Sequence, residues 1–120
     1  MATVTPVTTT DPDLRFQRVR WTGFVASGDV GTGVEWGSYS DRSVQVLGTF
    51  AGGISIDIEG SNDGGTTWTV LTDPQGNALT FTTARLEQIT ELTHKVRCRA
   101  TAGAGGAAVD VHMLFGGNRR

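Results

Sequence analysis

Three observations predict an all-β fold for this chain, a β-sandwich or jelly roll of about eight to ten antiparallel strands joined by turns. From Ile54 to Glu59 the residues alternate strictly, Ile54, Ile56 and Ile58 against Ser55, Asp57 and Glu59, a period of two that a helix cannot produce. Glycine fills 17 of 120 positions, charged residues make up only 18%, and threonine recurs throughout, which is the composition of short strands and many turns. No stretch sustains the apolar period of a long helix. The organisation expected is an extended N-terminal arm over residues 1–13 followed by a single β-sandwich domain over residues 14–120.

The elements follow in order. Met1 to Asp13 is polar, β-branched and punctuated by Pro6 and Pro12, with no large apolar side chain. Such a segment cannot bury enough area by itself to offset its ordering entropy, so it reads as an arm laid along another surface. From Leu14 to Val25 an imperfect alternation, Phe16, Arg18 and Arg20 against Gln17, Val19 and Trp21, predicts one or two strands broken near Gly23. Ala26 to Gly37 carries four glycines around Val30, Val34 and Trp36 and reads as a rim loop or short hairpin, with Trp36 and Tyr39 as an exposed anchor pair. Ser43 to Phe50 is a strand with Val44, Val46, Gly48 and Phe50 on one face, followed by the alternating Ile54–Glu59 strand.

Thr67 to Leu71 places Trp68 and Val70 together on a return strand, and Asp73-Pro74-Gln75-Gly76-Asn77 is a turn. Leu79 and Phe81 make another short strand. Arg85 to Leu92 suits a single helical turn or a strand equally well. Thr93 to Ala102 buries Val96, Cys98 and Ala100 and exposes Lys95, Arg97 and Arg99. Gly103 to Gly106 is expected as a hairpin loop leading to a last strand that buries Val109, Val111, Met113 and Phe115, with Asp110 and His112 opposite.

Composition excludes several function classes. A net charge of −2 offers no general attraction to nucleic acid or to an anionic membrane, so neither is expected as a partner. No apolar run approaches the ~20 residues of a membrane helix, and no apolar signal stretch opens the chain, so the expectation is synthesis and use without Sec export. Nine arginines stand against the single Lys95, a bias that suits protein interfaces and that a GC-rich genome would equally produce. Cys98 is alone and alternates with Val96 and Ala100, which makes it a small core residue.

The stretch Ser61-Asn62-Asp63-Gly64-Gly65-Thr66-Thr67-Trp68 fits Ser-x-Asp-x-Gly-x-Thr-Trp at every specified position. It resembles the Asp-box of sialidases and related β-propellers, a tight turn between antiparallel strands. The residues themselves explain the turn: the short Asp63 carboxylate can accept from following backbone N–H groups, the glycines admit positive φ, and Trp68 offers a ring to bury. One such turn in 120 residues cannot make a propeller at roughly 40–50 residues a blade, so Ser61, Asp63, Gly65 and Trp68 are expected to be structural.

No catalytic residue, cofactor or metal site is expected. Asp57, Glu59 and Asp63 lie close together in sequence, yet Asp57 and Glu59 fall on the polar face of a strand rather than in an apolar pocket that would raise a carboxyl pKa. A sialidase-like site needs a tyrosine nucleophile among arginines, and Tyr39 is the only tyrosine. His94, Asp110 and His112 lack a zinc spacing, Asn62-Asp63-Gly64 has too few carboxylates for calcium, and the glycine-rich loops lack the Lys-Ser/Thr of a phosphate cradle. Trp36 is the one tryptophan kept as a platform for a sugar ring, which makes a glycan a candidate partner.

The blocks Val46-Leu47-Gly48-Thr49-Phe50 and Ile54 through Gly64, with Trp68, Val70-Leu71 and later Val96-Arg97-Cys98-Arg99, resemble a group of small tailed-bacteriophage virion proteins over roughly residues 43 to 115. The resemblance implies a head decoration, or cement, protein: a non-enzymatic β-sandwich on the outer surface of the capsid, made in the host cytoplasm, with the major capsid protein as partner. It further implies a homo-oligomer, a trimer favoured over a dimer. The interface residues expected on that reading are Thr3, Val4, Thr5 and Val7 in the arm, Arg18, Arg20, Arg97 and Arg99 on the strands, Trp36 and Tyr39 at the rim, and Arg119 and Arg120 at the tail. A carbohydrate-binding surface module of the virion, or a tail or connector component, is the alternative.

Overall fold

The structure, a computed structural model, describes residues 2–10, 16–36 and 39–119, and for the last three of these the backbone only. The chain runs through β1 (Thr3–Val4), β2 (Val7–Thr10), β3 (Phe16–Phe24), β4 (Val30–Gly31), β5 (Val34–Glu35) and β6 (Tyr39–Thr49). It continues through β7 (Ser55–Ser61), β8 (Thr69–Val70), β9 (Thr80–Phe81), β10 (Arg85–Gln88), β11 (Lys95–Ala102) and β12 (Ala108–Arg119). Among the described residues there is no helix. The fold is all-β, with two sheets packed face to face: one in the order β1-β4-β11-β7-β8, with β5 on β11 and β9 on β7, and a five-stranded one in the order β10-β6-β12-β3-β2. Five strands of only two residues bring the number above the eight to ten expected, and the β1–β4 pair is parallel.

Period-two alternation produces the core. On β7 and β11, Ile56, Ile58, Val96, Cys98 and Ala100 point inward, and on β3, β6 and β12 so do Val19, Trp21, Val44, Val46, Val109, Val111, Met113 and Phe115. All of these are buried, and each of the large aliphatic or aromatic members contributes about 1.5–3 kcal/mol by leaving water. Burial pushes the Cys98 thiol well above its usual range, as suits a core residue. Gly48 closes the pattern at the end of β6. Its φ is +122°, and a Cβ there would lie 2.2 Å from the Ala108 carbonyl oxygen, so β6 and β12 can approach at that point only over a glycine.

Several expectations are corrected by this packing. The glycine loop 103–106 does not join a hairpin: β11 belongs to one sheet and β12 to the other, so the loop crosses between them. Residues 85–88 are a strand on the β6 edge. The N-terminal segment lies on its own domain, with β1 beside β4 in one sheet and β2 antiparallel to β3 at the edge of the other. Val4 is thereby a core residue rather than an exposed anchor, its carbonyl accepting from the Thr32 N–H. Residues 11–13 of the expected arm lie outside the described residues. Trp36 and Tyr39 are also core residues. Trp36 is only 1% exposed, its Nε1 donates to Thr93 Oγ1 at 3.1 Å, and its ring meets Phe115 edge-on at 5.3 Å. Tyr39 packs against the same phenylalanine at 6.3 Å. Large aromatic surfaces at the end of a sandwich are most stable between the sheets, which a glycine-rich flank does not reveal.

Candidate functional site

The Asp-box turn joins β7 to β8, where Glu59 pairs with Val70 and Gly60 with Thr69. Asp63 Oδ1 accepts from the Ser61 hydroxyl at 2.8 Å and from the N–H groups of Thr66 and Thr67 at 3.1 and 2.8 Å, while Gly65 N–H donates to Ser61 Oγ. Gly64 and Gly65 take φ of +76° and +95°. Trp68 Nε1 donates to the Gly65 carbonyl, and the half-buried ring carries Arg97 at 4.3 Å from its centroid. Led by the Thr67 N–H and then the Ser61 hydroxyl, these donors hold the Asp63 carboxyl down from 3.8 to about 2. All three bonds fall on Oδ1, which ties that oxygen to the loop itself.

Beside the turn, Glu59 is almost fully buried on the outer side of β7. Its Oε1 accepts from Arg97 Nε at 2.8 Å, and its Oε2 from Arg99 Nε and Nη2 at 3.2 and 3.1 Å. The expectation of a solvated Glu59 is therefore corrected, because Arg97, opposite it in register, and Arg99, opposite Asp57, close over the carboxylate. Arg97 and Arg99, expected as interface residues, are committed to this internal clamp. Asp57 is engaged by the Thr80 hydroxyl at 2.8 Å. On the outer face of this sheet, Glu59, Arg97, Arg99 and Asp57 are thus each engaged by neighbouring strands.

The outer face of the five-stranded sheet is different. The registers of β10, β6, β12, β3 and β2 set side chains in rows across it. One row reads Leu86, Gln45, His112, Arg20, Val7; the next reads Gln88, Ser43, Leu114, Arg18, Thr9; Phe16 stands beyond, opposite Gly116. Six large apolar side chains are exposed among the described residues, and four of them are here: Val7 at 57%, Phe16 at 38%, Leu86 at 61% and Leu114 at 45%. A hollow of about 170 Å³ is lined by Val7, Thr9, Arg18, Arg20 and His112. A neighbouring one of about 300 Å³ runs past Phe16, Gln45, Leu86 and Leu114. Among the described residues no carboxylate pairs with Arg18 or Arg20. Two acids among them share this face: Asp41, opposite Gly116, and Asp110, which accepts from the Gly23 N–H at 3.1 Å. The His112 pKa is lowered first by its burial and then by Arg20 and Arg18, with Asp110 opposing.

The sequence-derived set is therefore divided. Val7, Arg18 and Arg20 come together on the five-stranded face. Thr3 and Thr5 are exposed at the other sheet's edge. Val4, Trp36 and Tyr39 are core, and Arg97 and Arg99 hold Glu59. The backbone of Arg119 pairs with Tyr39, and Arg120 lies outside the described residues. His94 meets Glu35 at 3.5 Å in one sheet, whereas Asp110 and His112 stand on the other. Phe16, Leu86, Leu114 and His112 were not expected at an interface. Their signal was parity: His112 and Leu114 share the outward register of β12. Arg42 was also missed: it is buried over the Trp36 ring at 4.7 Å, and among the described residues its Nε and Nη1 have no hydrogen-bond partner.

No protein-family model matches the chain, and a comparison with curated protein sequences gives no match. Among solved structures, the SPBc2 prophage-derived protein YomS aligns with a TM-score of 0.55 at 14% identity, over 82% of this chain and 94% of that one. A cupin domain from Bordetella pertussis (TM-score 0.41, 15% identity, 97% and 96% covered) also aligns. So does a family 6 carbohydrate-binding module from Clostridium cellulolyticum in complex with xylose (TM-score 0.41, 18% identity, 96% and 88% covered). At these identities, what the chain shares with YomS is the fold.

Proposed function

We propose that this chain is a non-enzymatic structural protein of a tailed-phage virion, a decoration or cement protein. On this reading it seats on the outside of the head and clamps neighbouring major capsid protein subunits. The observation that carries the reading is the outer face of the five-stranded sheet, with four exposed apolar side chains interleaved with basic ones that pair with no carboxylate among the described residues. Such a face is built for contact with protein. The fold shared with a prophage-derived protein and the sequence layout around residues 43 to 115 support a phage setting. A rigid sandwich bound only to assembled shells stabilises them by mass action, and copies arranged around a symmetry axis, as a homo-oligomer, multiply weak contacts. The sugar-binding alternative loses its platform, because Trp36 is buried and the face of Trp68 is occupied by Arg97.

The test is electron microscopy of particles carrying the protein, with co-sedimentation of purified capsids and two variants of the face, Leu86→Asp and Leu114→Asp. Leu92→Asp, exposed elsewhere, is the control. Density on the outside of the head, and occupancy lost in the first two variants but kept in the third, is the expected result. Full occupancy in both face variants would overturn the docking surface, and density on the tail alone would overturn the decoration role.

A further inference from the structure

We infer that Arg18, Arg20 and His112, with Thr9 beside them, form a recognition site for an acidic extended segment of the partner protein. The inference rests on the reading of this face as the docking surface and names the chemistry that the surface selects. Arg20 and His112 are directly opposed in register, and Arg18 lies two residues along β3 from Arg20. The Arg20 guanidinium directly across the sheet disfavours the charged form of His112. Here the neighbouring strands offer no relief: β6 places neutral Gln45 beside His112, β2 places Val7 and Thr9, and β10 places Leu86. Among the described residues the acid nearest His112 is Asp110, on its own strand and bonded to the Gly23 N–H, with Asp41 further along β6 opposite Gly116. Among the described residues no carboxylate pairs with Arg18 or Arg20 on this face, in contrast to Arg97 and Arg99, which share Glu59.

Geometry points to a peptide. Arg18 and Arg20 stand about 6.8 Å apart along an extended strand, which is also the spacing of residues i and i+2 in an extended partner. Two carboxylates at that spacing face the two guanidinium groups, which are suited to forked bonding with carboxylate oxygens. The side chains around them are apolar, Val7, Leu114 and Phe16, which matches the flanks of a protein segment. The net charge of −2 is the wrong sign for a nucleic-acid binder. His112 adds a pH dependence. Its burial and the two arginines depress its pKa from 6.5 in the free protein. An acidic partner raises it again, so protons are taken up on binding and affinity rises as the pH falls through this range.

The experiment uses the intact protein and an acetylated nine-residue peptide, Gly-Ser-Glu-Val-Glu-Val-Glu-Gly-Ser, against its counterpart with Gln for every Glu. Binding is followed by NMR shifts at low salt. The Glu peptide should shift the Arg18, Arg20, His112 and Thr9 signals and bind at least about fivefold tighter than the Gln peptide. Arg18→Glu and Arg20→Glu should each remove that preference with the melting temperature unchanged, and His112→Gln should remove the gain in affinity at acid pH. Equal affinity for the two peptides, or shifts confined to the Arg97 and Arg99 face, would overturn the inference. So would binding displaced as well by inorganic phosphate or by a DNA oligonucleotide. If the Arg18→Glu/Arg20→Glu protein still occupies capsids fully, this inference fails while the docking surface stands; loss of occupancy in Leu86→Asp tests the surface independently.

Discussion

Replacing Arg97 by alanine separates a structural arginine from a docking one. Arg97 gives Glu59 a charge-assisted bond of 2.8 Å and lies over Trp68 at 4.3 Å. The bond contributes about 1.5–3 kcal/mol and the ring contact about 0.5–1 kcal/mol, for a combined loss of about 2–4 kcal/mol. Removing the only partner of a buried charge costs ~3–5 kcal/mol; here the loss is smaller because Arg99 keeps its contacts with Glu59 at 3.1 and 3.2 Å. With an unfolding entropy of about 2.1 cal/mol/K per residue, this 120-residue chain loses on the order of 8–16 °C in Tm. Thermal unfolding followed by circular dichroism near neutral pH measures it. Glu59→Gln/Arg97→Ala should recover part of the loss, because the amide no longer needs a cation. A Tm drop below about 3 °C would refute the clamp. So would a folded Arg97→Ala protein that binds capsids as poorly as Arg20→Glu does.

Three further outcomes follow from the geometry. Gly48→Ala should destabilise by more than about 2 kcal/mol, since φ of +122° and the Ala108 carbonyl oxygen at 2.2 Å both oppose a Cβ; urea denaturation with an unchanged midpoint would contradict this. Trp36→Ala should cost about 3–5 kcal/mol through the cavity it leaves beside Phe115, and a Tm equal to that of the parent would restore Trp36 to the surface. The Asp63 loop should stay closed above pH 3.8 and loosen only as pH falls through about 2, because the folded carboxyl is held below its ordinary value; the Thr66 and Thr67 amide shifts report the midpoint, and a midpoint near 3.8 would show that those bonds do not form in solution.

What the sequence by itself determined is what depends on near neighbours. The Ile54–Ile58 alternation specifies a strand with one buried face, the parity of Val96-Cys98-Ala100 does the same, and the Asp63 bonds span at most four residues, so each is written in a short window. The all-β class is the sum of such windows. Tertiary structure decided which strands share a sheet and what covers each face. Residues 103–106 read as a hairpin because glycine marks a turn without saying whether the chain returns to the same sheet or crosses to the other. Arg18 and Arg97 are alike in local pattern, basic residues on outward strand positions. They part only because β7 brings Glu59 opposite Arg97, while β12 brings Leu114 opposite Arg18. Whether a charge is satisfied is a property of register between strands far apart in the chain, and for that reason the basic and apolar rows proposed for docking became visible only in the assembled sandwich.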